Sequence, residues 1–164
     1  MAARYTCPLD EEGLGVSEIG GKGQSLARLA SAGLPVPQGF HITTAAYDGF
    51  VAGHGLKSRI AALVGNPAAG DTHDHAADSI AALLADHKIP RSISAEVLGA
   101  YHRLGSPPVA VRSSATAEDL PDASFAGQQA SFLNVAGDDQ LLAAVRRCWA
   151  SLWTARAISY RARH

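Results

Sequence analysis

The sequence predicts an α+β fold, in which a small mixed or antiparallel sheet is flanked by helices and a long helix closes the C-terminus. Three observations carry this. Val109 to Val135 reads as strand, loop, strand. Several segments before it space their apolar residues at helical intervals. The last stretch, from Asp139 to about Arg163, carries one broad apolar stripe through Leu141, Leu142, Val145, Cys148, Trp149 and Leu152.

Taken in order, Tyr5 to Leu9 suits a short strand, and Glu11 to Gly20 a loop or frayed turn. Gly20-Gly21-Lys22-Gly23 then opens a helix in which Leu26, Leu29 and Ala30 share a face, and Gly33 suits its end. Pro35 and Pro37 hold an extended connector to a strand at His41 to Thr43. Thr43 or Thr44 caps a helix over Ala45 to Val51, which Gly53 and Gly55 end, and Lys57 to Val64 is a short amphipathic helix. Asp71 or Thr72 caps a helix from Ala76 to His87, with Ile80, Leu83 and Leu84 facing inward. Ser92 or Ser94 starts the next, which buries Val97, Leu98, Tyr101 and Leu104 before Gly105-Ser106-Pro107-Pro108 stops it.

Composition narrows the function classes. A chain of 164 residues is one ordinary domain. Its net charge of -1 gives no general attraction to nucleic acid or to an anionic membrane. The arginines of the last helix lie mostly off its apolar stripe, which fits a solvated face. Apolar runs are too short to span a bilayer, which needs about 20 residues. Cys7 and Cys148 are far apart and follow no secretion signal, so they read as reduced thiols in a cytoplasmic protein.

Two places carry phosphate chemistry. Lys22 sits in a glycine turn at a helix N-terminus, where backbone N–H groups and the helix dipole favour an anion. The turn is not a Walker A loop, because the lysine follows only two glycines and Gly23 comes after it. Arg112 comes directly after the buried run Val109-Ala110-Val111, and its guanidinium fork matches phosphate oxygens. Ser113, Ser114 and Thr116 add hydroxyls, Gly127 permits close backbone approach, and Gln128, Gln129 and Ser131 offer neutral hydrogen bonds. Glu118, Asp119 and Asp122 suit a solvated turn better than a Mg²⁺ site. Asp71-Thr72-His73-Asp74-His75 has a metal-like density of ligands, but a solvated helix start accounts for it. No GxSxG elbow is present.

The glycine turn with GLPVPQGFHITTAAY, followed by VRSSATAEDLPDASFAGQQASFLNV, resembles the N-terminal nucleotide-binding region of the phosphoenolpyruvate synthase and pyruvate phosphate dikinase family, also found in rifampicin phosphotransferase. The resemblance runs from about Tyr5 to the end and is weakest between Gly55 and Gly105. It implies the first subdomain of an ATP-grasp fold, in which two α+β halves clamp ATP. It also implies that Lys22 and Arg112 contact the ATP phosphates and that Gly127, Gln128 and Ser131 line the nucleotide site. The family usually has Thr where this chain has Ser131, and Glu or Asp where it has Ala130.

Family members run to several hundred residues. Their second half supplies the adenine pocket and the Mg²⁺ carboxylates, and further domains carry a phosphohistidine and bind the acceptor. The expected function is therefore the ATP-binding portion of such a phosphotransferase, inactive alone, with its Mg²⁺ ligands and catalytic histidine elsewhere. A separate chain supplying the rest of the enzyme is one arrangement this allows. The alternative is a non-catalytic remnant of the fold that binds a nucleotide or a partner.

Overall fold

The computed structural model describes residues 3–65, 73–114 and 130–163. Strand β1 (Thr6–Pro8) pairs antiparallel with β2 (Phe40–Ile42), bringing Cys7 opposite His41. Between them runs α1 (Val16–Ser31). Helices α2 (Thr44–Gly53), α3 (Leu56–Gly65), α4 (Asp74–Ala85) and α5 (Arg91–Arg103) follow. A second antiparallel pair, β3 (Val109–Arg112) with β4 (Ser131–Val135), then leads into α6 (Asp138–Ala150) and α7 (Ala155–Arg163). The α+β expectation holds, with the strands in two small antiparallel sheets.

One apolar core joins helices α2 to α7 to the inner faces of the strands, and α1 packs on a smaller cluster beside it. Phe50 of α2 stacks on Trp149 of α6 with ring centroids 5.1 Å apart, and Tyr47 meets the same indole edge-on at 5.9 Å. Ile80, Leu83 and Leu84 of α4 and Val97 and Tyr101 of α5 are buried, as their spacing predicts. The Tyr101 hydroxyl lies 3.1 and 3.0 Å from the carbonyls of Ser106 and Pro107, to which it can donate, and accepts the Gly137 N–H at 3.1 Å. It thereby fixes where β3 begins and where α6 starts.

Polar ties fix the edges. Glu96 of α5 accepts the N–H groups of Tyr5 and Thr6 at 2.9 and 2.6 Å, holding β1 against the helix layer. Gly33, in the left-handed region, closes α1 as expected. Its N–H donates to Ala30 O and that of Leu34 to Leu29 O, the paired bonds of a Schellman end. Cys7 and Cys148 are buried free thiols. Among the described residues no helix is long and apolar enough to cross a membrane.

Several boundaries differ from the sequence expectation. The region before Gly20 is helical from Val16, because Gly15 and Glu18 form a capping pair in which the Gly15 N–H donates to the Glu18 carboxylate at 3.0 Å. The buried side of α1 passes through Gly23 and Ala27, while Leu29 is exposed, so small residues make the contact. Thr43 holds the cap position of α2, but its hydroxyl donates to Arg4 O at 2.7 Å instead of serving the helix.

Helix α4 starts at Asp74 and ends at Ala85, with His73 at its cap position; Asp71 and Thr72 lie outside the described residues. Helix α5 starts at Arg91, with Pro90 in the cap place expected of a serine. The long C-terminal helix is in two rods. A 3-10 turn at Ser151–Trp153 and an extended Thr154 divide it, and the Thr154 hydroxyl accepts the Ala157 N–H at 3.2 Å to restart it.

Candidate functional site

The glycine turn owes its shape to Gly20. This residue interrupts α1 with φ 71° and ψ 170°, a conformation that L side chains rarely adopt, and the helix resumes at Gly21. A Cβ built on Gly20 would lie 2.3 Å from both the carbonyl oxygen and the hydroxyl of Ser114. The backbone of the turn therefore rests directly on the residue two places after Arg112. Three residues on, the Gly23 N–H donates to Ser114 Oγ at 3.0 Å. Lys22 is half-buried between these two anchors. The sequence expectation that the helix start offers its N–H groups to an anion is thus amended at Gly23, whose N–H is already satisfied.

The turn is also backed from inside. A Cβ on Gly23 would meet Ile19 Cβ at 3.1 Å and His41 Nδ1 at 3.4 Å. His41 is 8% exposed, and its Nε2 donates to Leu9 O at 3.1 Å, leaving Nδ1 unprotonated in the neutral ring. Burial holds this imidazole below its ordinary pKa, against the opposing pull of the Leu9 carbonyl and Glu11. Across the strand pair, burial pushes the Cys7 thiol up to about 11, so it stays protonated at neutral pH.

The second wall is the β3–β4 sheet. Arg112 and Ser131 are cross-strand partners, so their side chains leave the same face. That face also carries Ala110 and Leu133, and all four residues are exposed, Leu133 at 71%. Val109, Val111 and Phe132 turn to the core side, and the exposed Arg147 lays its guanidinium 4.0 Å over the half-buried Phe132 ring. Asn134, at φ 55°, is the extra residue of a bulge where Val109 pairs Val135 but Val111 pairs Phe132. Ser113 is 7% exposed and its N–H donates to Ala130 O at 3.2 Å, extending the ladder one step.

Two long stretches of sequence, 91 residues apart at the Gly23–Ser114 bond, thus build one edge of the molecule. A family described as the pyruvate phosphate dikinase AMP/ATP-binding domain matches residues 16–164. This chain belongs to that family.

A probable phosphoenolpyruvate synthase of Methanothermobacter thermautotrophicus is 44% identical over 161 residues, covering 92% of this chain and 24% of the relative. A rifampicin phosphotransferase of a Streptomyces species is 43% identical over 170 residues, covering 99% of this chain and 19% of the relative. The phosphoenolpyruvate synthase of Aeropyrum pernix is 41% identical over 155 residues, covering 87% and 18%. The chain thus spans about a quarter or less of the curated relatives it matches. The resemblance carried by the two motifs holds.

Within this pyruvate phosphate dikinase-type domain, the turn that carries Lys22 meets Ser114, two places after Arg112, and Arg112 is the cross-strand partner of Ser131. Gly127 and Gln128 lie outside the described residues, as do Thr116, Glu118, Asp119, Asp122 and Gln129. Sequence reasoning counted Ser114 only as one hydroxyl among several, Gly20 only as the start of the lysine turn and His41 only as a strand residue. The doubled glycine and the doubled serine were the available signals. Among the described residues no group of three or more His, Cys, Asp or Glu side chains could hold a metal.

Proposed function

We propose that this chain is the triphosphate-gripping wall of an ATP site in a phosphoenolpyruvate synthase-like phosphotransferase. The whole enzyme moves a phosphoryl group from ATP to pyruvate or another acceptor through a histidine on a further domain. The observation that carries this reading is the bond between the motifs. With the Gly23 N–H on Ser114 Oγ at 3.0 Å, the lysine turn and the arginine strand end form a single edge. The family match supplies the nucleotide.

In this reading the chain is the first subdomain of an ATP-grasp fold. Lys22 supplies a compact cation and Arg112 a bidentate one to the phosphates. Gly127 lets the backbone approach the nucleotide, while Gln128 and Ser131 add neutral hydrogen bonds. Phosphoryl transfer needs positioning and charge neutralisation more than covalent chemistry from the protein. The share assigned to these residues is positioning and charge. The opposite wall, the Mg²⁺ carboxylates and the histidine belong to sequence beyond these 164 residues, on the same polypeptide or on a partner chain.

Titration calorimetry of the 164-residue chain with ATP tests the reading. Binding that Lys22→Ala and Arg112→Ala each weaken by about tenfold or more is the expected result, since charge-assisted hydrogen bonds are each worth about 1.5–3 kcal/mol. No heat at millimolar ATP would overturn it and leave a remnant that kept the fold alone. The chain alone is expected to show no turnover, so steady-state release of AMP and phosphate would overturn that part separately.

A further inference from the structure

We propose that Ser114 is a positioning residue, a clamp that sets the Lys22 turn against the Arg112 strand end, and not itself a phosphate ligand. The inference rests on the triphosphate reading above and names what holds that site in register. The hydroxyls near Arg112 have different employment. Ser113 is buried, and Ser131 stands exposed across the sheet from Arg112. Ser114 touches the lysine turn at two points, one on each side of Lys22. Its main chain and hydroxyl meet Gly20 so closely that a Cβ there would lie 2.3 Å away, and its Oγ accepts the Gly23 N–H at 3.0 Å.

These contacts have a direct consequence for the cations. Lys22 and Arg112 stand on backbone segments far apart in sequence, and any relative motion of those segments would have to be lost on binding. A turn fixed to the strand end lowers that cost, because the backbones that carry the two charges no longer move independently. The hydroxyl also removes one N–H from the set open to an anion. Recognition is thereby left to side-chain charge more than to the helix start. Glycine at position 20 is part of the same device, because no other residue lets Ser114 seat.

Calorimetry with inorganic tripolyphosphate tests this on the 164-residue chain, using Ser114→Ala, Ser114→Thr, Lys22→Gln and the Ser114→Ala/Lys22→Gln pair. The expected result is about tenfold weaker binding for Ser114→Ala, retention in Ser114→Thr, and no further loss when Ser114→Ala is added to Lys22→Gln. Equal binding by Ser114→Ala and wild type would overturn the proposal. So would additive losses in the pair, which would make Ser114 a direct ligand.

Ile80→Val, a core change remote from the turn, should lower the melting temperature without moving the affinity, which separates positioning from general destabilisation. Amide exchange of the ligand-free chain reads the clamp by itself. Gly23 should exchange at least about tenfold faster in Ser114→Ala, and an unchanged rate would overturn the clamp. If wild type and Lys22→Gln bind tripolyphosphate equally, the phosphate reading fails instead, and the Gly23 exchange still decides the clamp.

Discussion

The helical core and the lysine-turn edge hold their shapes by opposite means. The core is filled with large side chains, Phe50, Tyr101, Ile80, Leu84 and Ile158 among those with essentially no exposure. Among the described residues the edge has a small satellite cluster of Cys7, Ile19 and Ala27 with Leu14 packed beside it, and its buried positions include Gly20, Gly21, Gly23 and Ser113. In the core, position follows from volume, and a swap of similar volume is absorbed. At the edge, position follows from the absence of side chains and from named hydrogen bonds, so a single added methyl has nowhere to go. Stability should therefore be lost mainly through the core and ligand geometry mainly through the edge.

The largest stability effect is expected at Phe50. Its ring is fully buried and stacked on Trp149, so Phe50→Ala should cost about 3–5 kcal/mol, read by chemical denaturation. Phe50→Leu should cost less and leave nucleotide affinity unchanged in the folded chain. A fall in affinity with Phe50→Leu would break the division between core and edge.

Gly20→Ala comes next. A left-handed backbone costs an ordinary residue about 1–2 kcal/mol, and the new Cβ would strike Ser114 at 2.3 Å. The expected outcome is a stability loss of about 2 kcal/mol, smaller than that of Phe50→Ala, with nucleotide binding weakened more than tenfold. Denaturation and calorimetry on the same two variants should therefore rank them in opposite orders. The same order in both assays would show that the edge is merely a weaker piece of core.

The same division explains what the sequence made legible. Apolar periodicity reports large side chains facing a core, so Ile80, Leu83, Leu84, Val97 and Tyr101 could be read directly from spacing. The strand-loop-strand unit from Val109 to Val135 was legible from two apolar runs around a turn-rich loop, whereas the register that sets Arg112 opposite Ser131 came only from the structure. Periodicity is blind to the glycine and serine contacts. Nothing in the spacing says that Gly20 rests on Ser114, 94 positions away, because the signal of that contact is a missing side chain. The break at Ser151–Thr154 was hidden for a related reason. The apolar stripe continues to Leu152 and Trp153, while the cap that restarts the helix is one hydroxyl of Thr154.

A smaller effect is expected where the core carries its own polar tie. Trp153 Nε1–H donates to the Tyr47 hydroxyl at 2.8 Å, linking the turn between α6 and α7 to α2. Trp153→Phe keeps an aromatic face beneath Arg161, whose guanidinium lies 4.6 Å from the indole, but removes the donor. A loss of about 1 kcal/mol is expected, because Tyr47 can still turn its hydroxyl to water. A loss as large as that of Phe50→Ala would mean that this bond, and not ring packing, aligns the C-terminal helix.

The smallest effect is a pH dependence confined to the edge, and its sign follows from the burial of His41. Burial is the leading cause that holds the His41 imidazole below its ordinary value, so the folded chain binds a proton there less readily than the unfolded chain. Stability from this group is thus present above about pH 6.5, the ordinary histidine value, and is lost as pH falls from there toward the depressed folded value. Glu11 is also held below its ordinary value, by its hydrogen bond from Arg4, but that carboxylate loses its stabilisation only at lower pH, below the ordinary glutamate range.

Melting temperature measured from pH 8 down to pH 5 should therefore fall more steeply in wild type than in His41→Gln. The two proteins differ only at position 41, so the difference isolates His41. Because His41 Nδ1 backs Gly23, the same descent should also lower the protection of the Gly23 amide, read as its exchange rate divided by the intrinsic rate at each pH. Parallel melting profiles in the two proteins would show that the imidazole is accommodated in both charge states. Among the described residues the glycine turn would then owe its shape to Ser114 and Ile19.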